Sequence, residues 1–156
     1  MSYHIRTSQT KVGSSPEVSV SARRQGNRIP GYRAYGGVLI VSTLLNRETR
    51  AYMMVDSGAA YCCITPEIAR LLGYDLQRPM ARRSIASAQG LEAEVPSFRL
   101  QSLQVEGIIV QMLEVLVVHF PPRLRIDGVL GVNFLEQFRS TFDFDTATLI
   151  LRARSV

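Results

Sequence analysis

The stretch Tyr52-Met53-Met54-Val55-Asp56-Ser57-Gly58-Ala59-Ala60 joins an apolar run to an aspartate, a serine and a glycine. The apolar residues before Asp56 predict a buried strand, and Gly58 allows a sharp turn directly after it. Asp56 is therefore expected at the junction between a strand and a loop. Carboxylates are seldom placed against a core without a partner, so this aspartate is the first candidate for a functional side chain.

A single aspartate can do little acid–base chemistry at neutral pH, because an unperturbed Asp has a pKa of about 4 and is simply ionised. A second carboxylate close by would change that pKa and supply both an acid and a base. The chain holds no convincing second copy of the Asp-Ser-Gly setting. The most similar segment is Asp145-Thr146-Ala147, which has a hydroxyl residue after the aspartate but lacks the glycine. A two-fold homodimer solves the problem by placing Asp56 of one protomer beside Asp56 of its partner.

The charge of the chain is concentrated at its N-terminus. Residues 1–33 hold six of the 18 basic residues and one of the 13 acidic residues, so the remainder is balanced at 12 of each. We therefore expect a basic, flexible segment over residues 1–30 and one folded domain over residues 31–156. A basic tail can bind nucleic acid, but no aromatic residues interleave with its arginines as stacking platforms, so we do not favour a nucleic-acid partner.

The two cysteines, Cys62 and Cys63, are adjacent in the sequence. Neighbouring residues rarely form a disulfide because the bond is strained, so both are expected to be free thiols in the core, as suits a reducing compartment. With two histidines, His4 and His119, and no Cys/His grouping, no metal site is predicted, and no cofactor is expected. No signal segment and no membrane-spanning apolar stretch is visible, so we expect a soluble cytoplasmic protein without a membrane partner.

Strand signals dominate the rest of the chain. Apolar and β-branched runs predict strands over residues 35–45, 51–55, 61–64, 98–104 and 108–120, and a closing hairpin over residues 140–152. Thr65 and Pro66 predict the start of a short helix that Gly73 ends, and Asn133 is predicted to cap a second one. Many short strands with one or two short helices predict a mainly β, closed barrel.

Residues 82–95 predict a hairpin with a weak apolar face around Gln89-Gly90. A lightly anchored hairpin is what a mobile lid over a cleft requires. An ordinary exposed hairpin fits the pattern equally well. Arg82 and Arg83, at the base of this hairpin, are expected to be solvated.

The segment Val55-Asp56-Ser57-Gly58-Ala59 resembles the active-site signature of the retropepsin-like aspartic proteases, the single-domain relatives of retroviral protease. A second element, Val129-Leu130-Gly131-Val132-Asn133, is similar to the apolar pair and glycine that lead into a short helix in this family. The helix-like segment 66–72 and the closing Phe142-Asp143-Phe144 hairpin are similar to those of bacterial members. The resemblance covers residues 34–152.

The resemblance implies an acid-protease barrel, an obligate homodimer and hydrolysis of a peptide or protein bound in extended form. It implies a role for four groups of residues: Asp56 is catalytic; Ser57, Gly58 and Ala59 form the active-site loop; Ala88, Gln89 and Gly90 form the flap that covers the substrate; and Leu130 and Gly131 form the second apolar-glycine element. No metal or cofactor is implied. The predicted function is therefore that of an aspartic endopeptidase.

Three other interpretations stay open at this point. Ala60-Tyr61-Cys62 lacks the acidic residues with which viral members hold substrate backbone, and this favours a dimeric peptide-binding module with weak or no catalysis. Asp-Ser-Gly is also ordinary turn chemistry, so Asp56 could simply cap a turn. A nucleic-acid binder that uses its basic tail is a third alternative, and it predicts salt-dependent affinity.

Overall fold

The computed structural model describes residues 3–6, 19–22, 26–87 and 89–154. Strands dominate this part of the chain, with two short helices and one 3₁₀ turn at Pro122–Leu124. The strands are β1 (Tyr3–Arg6), β2 (Ser19–Ala22), β3 (Asn27–Pro30), β4 (Tyr32–Ala34), β5 (Val38–Leu45), β6 (Thr49–Val55), β7 (Cys62–Ile64), β8 (Ala81–Ala86), β9 (Glu92–Val105), β10 (Ile108–Val117), β11 (Gly128–Leu130), β12 (Phe138–Asp143) and β13 (Thr148–Ala153), and the helices are α1 (Pro66–Leu71) and α2 (Val132–Leu135).

The strands form two sheets. The larger has the order β1-β2-β10-β7-β11-β6-β5-β9-β8, with β4 paired to β5 and a further pairing between β9 and β10. The smaller has the order β12-β13-β3. The prediction of a mainly β fold with short helices is confirmed, while closure of the barrel stays a prediction. β3 joins the smaller sheet although it precedes the predicted boundary at residue 31, and most of the predicted basic segment lies outside the described residues.

Two apolar clusters lie on opposite faces of the strands around Asp56. Side chains alternate along a strand, so Met53 of β6 points into the main core while its neighbour Met54 joins a second, smaller cluster. The second apolar cluster has three buried members, Ile40, Ile126 and Val129, and six partly buried ones, Ala34, Met54, Ala59, Cys63, Phe120 and Leu124. It therefore combines the ends of several strands with residues that follow Asp56.

Helix α1 begins and ends where the sequence predicts. The Thr65 side chain accepts a hydrogen bond from the Ile68 N–H at 3.3 Å, and Pro66 is the first helical residue. Gly73 follows the helix with φ of +85°, a conformation that favours glycine, and its N–H donates to the Arg70 carbonyl at 2.9 Å. The predicted helix is confirmed.

Helix α2 begins two residues earlier than predicted. Gly131 is its N-cap residue and Val132 its first residue, so the prediction that Asn133 caps the helix is wrong. Asn133 lies inside the first turn because its side chain is engaged by strands β7 and β10 and does not bond the helix N-terminus. A long-range contact has replaced the local one that the sequence pattern suggested.

The predicted hairpins are present. β8 pairs with the first part of β9, with Ser84 opposite Glu94, and the rest of β9 pairs with β10. β12 and β13 form the closing hairpin. Within the described ranges, no helix is long and apolar enough to cross a membrane.

Candidate active site

Asp56 directly follows β6, at the start of a tight loop. Its backbone N–H donates to the Leu130 carbonyl at 3.1 Å, and its side-chain Oδ1 accepts the Gly58 N–H at 2.8 Å. The Ala59 N–H donates to the Asp56 carbonyl at 3.3 Å, which closes the turn. This local pattern is typical of aspartate in turns and leaves the carboxyl group partly exposed at the outer end of a buried strand.

The second apolar-glycine element lies directly beneath this loop. β11 runs parallel to β6, with Leu130 opposite Val55, and antiparallel to β7, with Val129 opposite Cys63. Beyond β11 the Val132 N–H donates to the Ala59 carbonyl at 2.7 Å. The structure therefore brings together the two segments that the sequence analysis singled out, and the later segment supports the loop through backbone hydrogen bonds.

Gly131 is required by close packing and not by its backbone angle. A Cβ atom at this position would lie 2.5 Å from the Tyr61 carbonyl oxygen and 2.7 Å from the Ala59 carbonyl oxygen. Real Cβ atoms do not approach backbone oxygens so closely, and φ here is −99°, which any residue can adopt. Glycine thus lets α2 start directly against the loop that carries Asp56.

Asn133 connects three elements near the loop. Its Oδ1 accepts the Cys62 N–H at 2.8 Å, and its Nδ2 donates to the Glu114 carbonyl at 2.8 Å. The side chain therefore satisfies one backbone donor of β7 and one backbone acceptor of β10. In the sequence, Asn133 stands out as a polar residue inside an apolar element. The prediction took it for a helix cap, whereas its side chain bonds to two strands.

Exchanging the Asn133 amide for a carboxylate should destabilise the protein. Asn133→Asp keeps the acceptor for the Cys62 N–H but places a carboxylate oxygen against the Glu114 carbonyl. We expect the free energy of unfolding to fall by about 2 kcal/mol, measured by urea denaturation, because a backbone acceptor loses its donor. Glu136→Gln, at the exposed C-cap position of the same helix, is the control and should change stability by less than about 0.5 kcal/mol. Equal stabilities for the two variants would contradict this role.

The loop lies between two open recesses on the protein surface. One, of about 420 Å³, is lined by Asp56 and Ser57 together with Arg33, Gly36, Gly37, Val38, Leu39, Val55, Phe142 and Phe144. The other, of about 500 Å³, is lined by Gly58, Ala60, Tyr61, Val132, Asn133 and Glu136. The Asp56 side chain is therefore accessible to a second molecule.

Arg33 is the cationic group of the recess that contains Asp56. Its Nε donates to the Gly37 carbonyl at 3.1 Å, and its guanidinium carbon lies 5.6 Å from the centre of the Phe144 ring. These contacts hold the guanidinium group in place against the recess wall. Nothing local in the sequence identified Arg33, because only the pairing of β4 with β5 brings it toward the loop.

Cys63 lies at the edge of the second apolar cluster, close to Asp56. Burial raises the pKa of its thiol to about 11, and the negative charge of Asp56 contributes to the rise. Cys62 is fully buried, and burial raises the pKa of that thiol to about 12. The expectation of two core thiols holds for Cys62, whereas Cys63 is partly exposed and packs against the second apolar cluster.

Cys63 should react slowly with alkylating reagents in the folded protein. The thiolate is the reactive form, and a pKa near 11 in place of 9.0 leaves about 100-fold less thiolate at pH 8. We expect iodoacetamide labelling of Cys63, followed by mass spectrometry, to accelerate as pH rises toward about 11. The control is the same chain in urea, where both thiols should label at the ordinary rate. Equal labelling rates at pH 8 with and without urea would contradict the burial of this thiol.

The tip of the β8–β9 hairpin is exposed. The Ser87 N–H donates to the Leu91 carbonyl at 2.9 Å, and the Gly90 N–H donates to the Ser87 carbonyl at 2.9 Å. Gln89 and Gly90, both predicted flap residues, are exposed at this turn, and the third, Ala88, lies outside the described residues. The hydrogen bonds given by the described residues of this tip are local, which is typical of a segment that can move.

A family model for the gag-polyprotein putative aspartyl proteases matches residues 41–137, a range that includes the Asp56 loop, the hairpin and the Leu130-Gly131 element. The chain belongs to this family. Among solved structures, this member of the family is similar to the crystal structure of a retropepsin-like aspartic protease from Rickettsia conorii. The two chains are 27% identical, the alignment covers 86% of this chain and 92% of the other, and the TM-score is 0.64. The search of curated proteins found no match.

These findings confirm the retropepsin-like family and fold predicted from the sequence. They place the chain among aspartic proteases, whose chemistry depends on paired carboxyl groups.

Proposed function

We propose that this protein is an aspartic endopeptidase in which Asp56 of two protomers forms a catalytic dyad at a homodimer interface. The observation that carries the proposal is the position of the chain's one Asp-Ser-Gly loop. It is partly exposed at the surface, between two open recesses, and stands on the Leu130-Gly131 element. A carboxyl group so placed is available to its symmetry mate, and a two-fold axis through the loop makes one aspartate per chain sufficient.

The proposed reaction is general acid–base hydrolysis. Two carboxyl groups in contact share one proton, so one is ionised and the other is not. The ionised group takes a proton from a water molecule, whose oxygen attacks the peptide carbonyl carbon, while the other group donates its proton to the carbonyl oxygen. The tetrahedral intermediate then collapses: the group that took the water proton gives it to the amide nitrogen, the C–N bond breaks, and the other group takes a proton back from a hydroxyl of the intermediate. Both products leave, and the dyad again holds one proton.

The neighbouring residues have supporting roles in this proposal. Ser57 braces the dyad across the interface, and the Gly58 N–H holds the Asp56 carboxyl group in place. The second apolar cluster, which reaches the loop through Ala59 and Cys63, offers a wall for an apolar substrate side chain. The hairpin tip at Ala88, Gln89 and Gly90 acts as the flap that covers an extended peptide. The proposed catalytic domain spans residues 31–156 together with β3, whose Ile29 lies in the main core.

A second candidate function is a peptide-binding module with little or no catalysis. It is favoured by one feature of the larger recess, where Ala60 and Tyr61 follow the loop and neither side chain is a carboxylate that could hold a peptide N–H. In that case the same dimer would bind extended peptides without cleaving them.

Cleavage of a diverse peptide mixture at a series of protein concentrations tests the proposed function. A dimeric site requires that the rate per chain falls steeply once the protein is diluted below its dimer dissociation constant, with sedimentation run in parallel. A rate per chain that stays constant through dissociation would contradict a shared site. Peptide binding by an intact dimer without cleavage, between about pH 4 and pH 7, would favour the binding module.

A further inference from the structure

Two ion pairs that join described side chains differ in burial, and the pair of Arg83 with Glu114 has the more buried member. Arg78 and Asp75 approach to 3.9 Å at the surface. Arg83 and Glu114 approach to 2.8 Å, with 44% of the Arg83 side chain and 19% of the Glu114 side chain exposed. Arg83 was expected to be solvated at the base of the hairpin and it is exposed there, but the sequence did not predict that it also pairs with Glu114. Its partner lies on β10, far along the sequence, so the pattern around Arg83 gave no sign of it.

The pair crosses a strand. Arg83 Nε donates to Glu114 Oε1 at 2.8 Å and a terminal nitrogen donates to Oε2 at 3.3 Å, so both carboxylate oxygens are engaged. β9 lies between the two strands, with Val95 opposite Arg83 and Arg99 opposite Glu114. The ion pair therefore ties the first strand of the hairpin to a core strand that it does not contact through backbone hydrogen bonds. Two-point contact of this kind fixes orientation as well as distance.

The carboxylate of Glu114 is also held from β9. The Ser97 hydroxyl donates to Oε1, and Arg99 adds a positive charge from the same strand. Burial alone would raise the pKa of Glu114, but the hydrogen bonds from Arg83 and Ser97 and the charges of Arg83 and Arg99 outweigh it, so the pKa is lowered. The ion pair consequently stays intact in mildly acidic solution.

The main chain of Glu114 is linked to the other side of the site. Its carbonyl accepts a hydrogen bond from Asn133, whose Oδ1 in turn accepts the N–H of Cys62, close behind the Asp56 loop. Glu114 is thus bonded through its side chain to the hairpin and through its backbone to the supports of the loop. Above this anchor the hairpin is exposed, with Leu91 69% exposed near the tip.

We propose that Glu114 is a positioning residue that, through Arg83, holds the base of the 81–97 hairpin in a fixed relation to the Asp56 loop and thereby sets the affinity for peptides. The inference rests on the proposed function, in which this hairpin covers the substrate. The tip moves to admit a peptide, and the Arg83–Glu114 pair fixes the point about which it moves. Without the pair, the hairpin adopts the binding-competent position for a smaller fraction of the time.

This model predicts a particular kinetic signature. If the fraction of molecules with the hairpin in the binding-competent position falls to about one tenth, the apparent affinity for peptide falls about tenfold. We therefore expect Glu114→Gln and Arg83→Gln to raise KM about tenfold and to change kcat less than about threefold. Loss of a merely structural contact would instead lower the concentration of folded enzyme, which reduces the measured kcat and leaves KM unchanged.

The experiment uses the full chain at a concentration at which the wild type is fully assembled. Hydrogen exchange of the hairpin amides, followed by mass spectrometry, is measured beside KM and kcat for Arg83→Gln, Glu114→Gln and the exchanged pair Arg83→Glu with Glu114→Arg. Arg82→Gln is the matched control, since Arg82 is the exposed neighbour of Arg83 and makes no side-chain hydrogen bond or ion pair with the described residues. Exchange in β5 and β6 reports global unfolding.

We expect both single variants to speed exchange in β8 about tenfold with β5 and β6 unchanged, and we expect the exchanged pair to recover part of the protection. Arg82→Gln should match the wild type. Unchanged exchange in β8 for Arg83→Gln would overturn the proposal, and so would faster exchange with an unchanged KM. If Glu114→Gln unfolds, Arg83→Gln alone decides, because its side chain is the more exposed of the two. A wild type that cleaves nothing counts against the proposed function, while the exchange measurement still decides whether the pair positions the hairpin.

Discussion

Asp56→Asn is expected to abolish peptide cleavage and to leave the fold intact. An amide can neither accept the proton of the attacking water nor donate a proton to the peptide carbonyl, so kcat/KM should fall at least ~10³-fold. The Asn side-chain oxygen can still accept the Gly58 N–H, which is the hydrogen bond that shapes the loop around Asp56. The thermal unfolding midpoint should therefore stay close to that of the wild type. Peptide cleavage and thermal unfolding are measured on the same preparations.

Asp145→Asn is the matched control for this prediction. Asp145 is the other aspartate followed by a hydroxyl residue, but it is exposed in the turn between β12 and β13, where its N–H donates to Asp143 Oδ1 at 3.1 Å. We expect full activity from this variant. Comparable losses from both substitutions, or cleavage by Asp56→Asn at the wild-type rate, would contradict the assignment of Asp56 as the catalytic aspartate.

Gly131→Ala is expected to cost both stability and activity. The added methyl group would lie 2.5 Å from the Tyr61 oxygen and 2.6 Å from the Tyr61 carbonyl carbon, and backbone atoms cannot move aside as a flexible side chain can. The start of α2 must separate from the Asp56 loop, so we expect the free energy of unfolding to fall by about 3 kcal/mol. Because Val132 supports Ala59 from this position, the remaining folded protein should also cleave peptides more slowly.

Gly107→Ala is the control for Gly131→Ala. Its added Cβ would meet the Asn27 Nδ2 atom at 3.1 Å, a longer approach and to a side-chain atom instead of backbone, and the position requires no left-handed backbone. We expect a loss of less than about 1 kcal/mol in urea denaturation and no change in activity. If Gly131→Ala were as stable and as active as Gly107→Ala, close packing beneath the loop would not be what holds Asp56 in place.

The parts of the site that the sequence predicts are those determined by local patterns. An apolar run before Asp56 specifies a buried strand, and Gly58 specifies the turn, so the position of the carboxyl group follows from adjacent residues. The cap and stop residues of α1, Thr65 and Gly73, act within one helical turn and were predicted for the same reason. The Leu130-Gly131 element was predicted because an apolar pair and a glycine that lead into a short helix resemble the second element of the retropepsin-like family.

The parts that the sequence did not predict depend on register between distant strands. Arg83 meets Glu114 only because β9 places β8 and β10 on either side of it. Asn133 bonds to β7 and β10 for the same kind of reason, and a local cap pattern at this residue pointed to a different partner. Arg33 reaches the recess beside Asp56 through the pairing of β4 with β5. In each case tertiary packing determines which residue the side chain contacts, and patterns in a single sequence carry no information about that packing.

The most direct test of the shared dyad is to mix wild-type chains with Asp56→Asn chains at constant total protein and allow the dimers to exchange. If each site needs both aspartates, an equal mixture contains about one quarter wild-type dimers, and its activity should be about one quarter of that of the pure wild type. If each chain carried a complete site, the mixture would keep about half of the activity. A value near one quarter is what the account predicts, and a value near one half would contradict it.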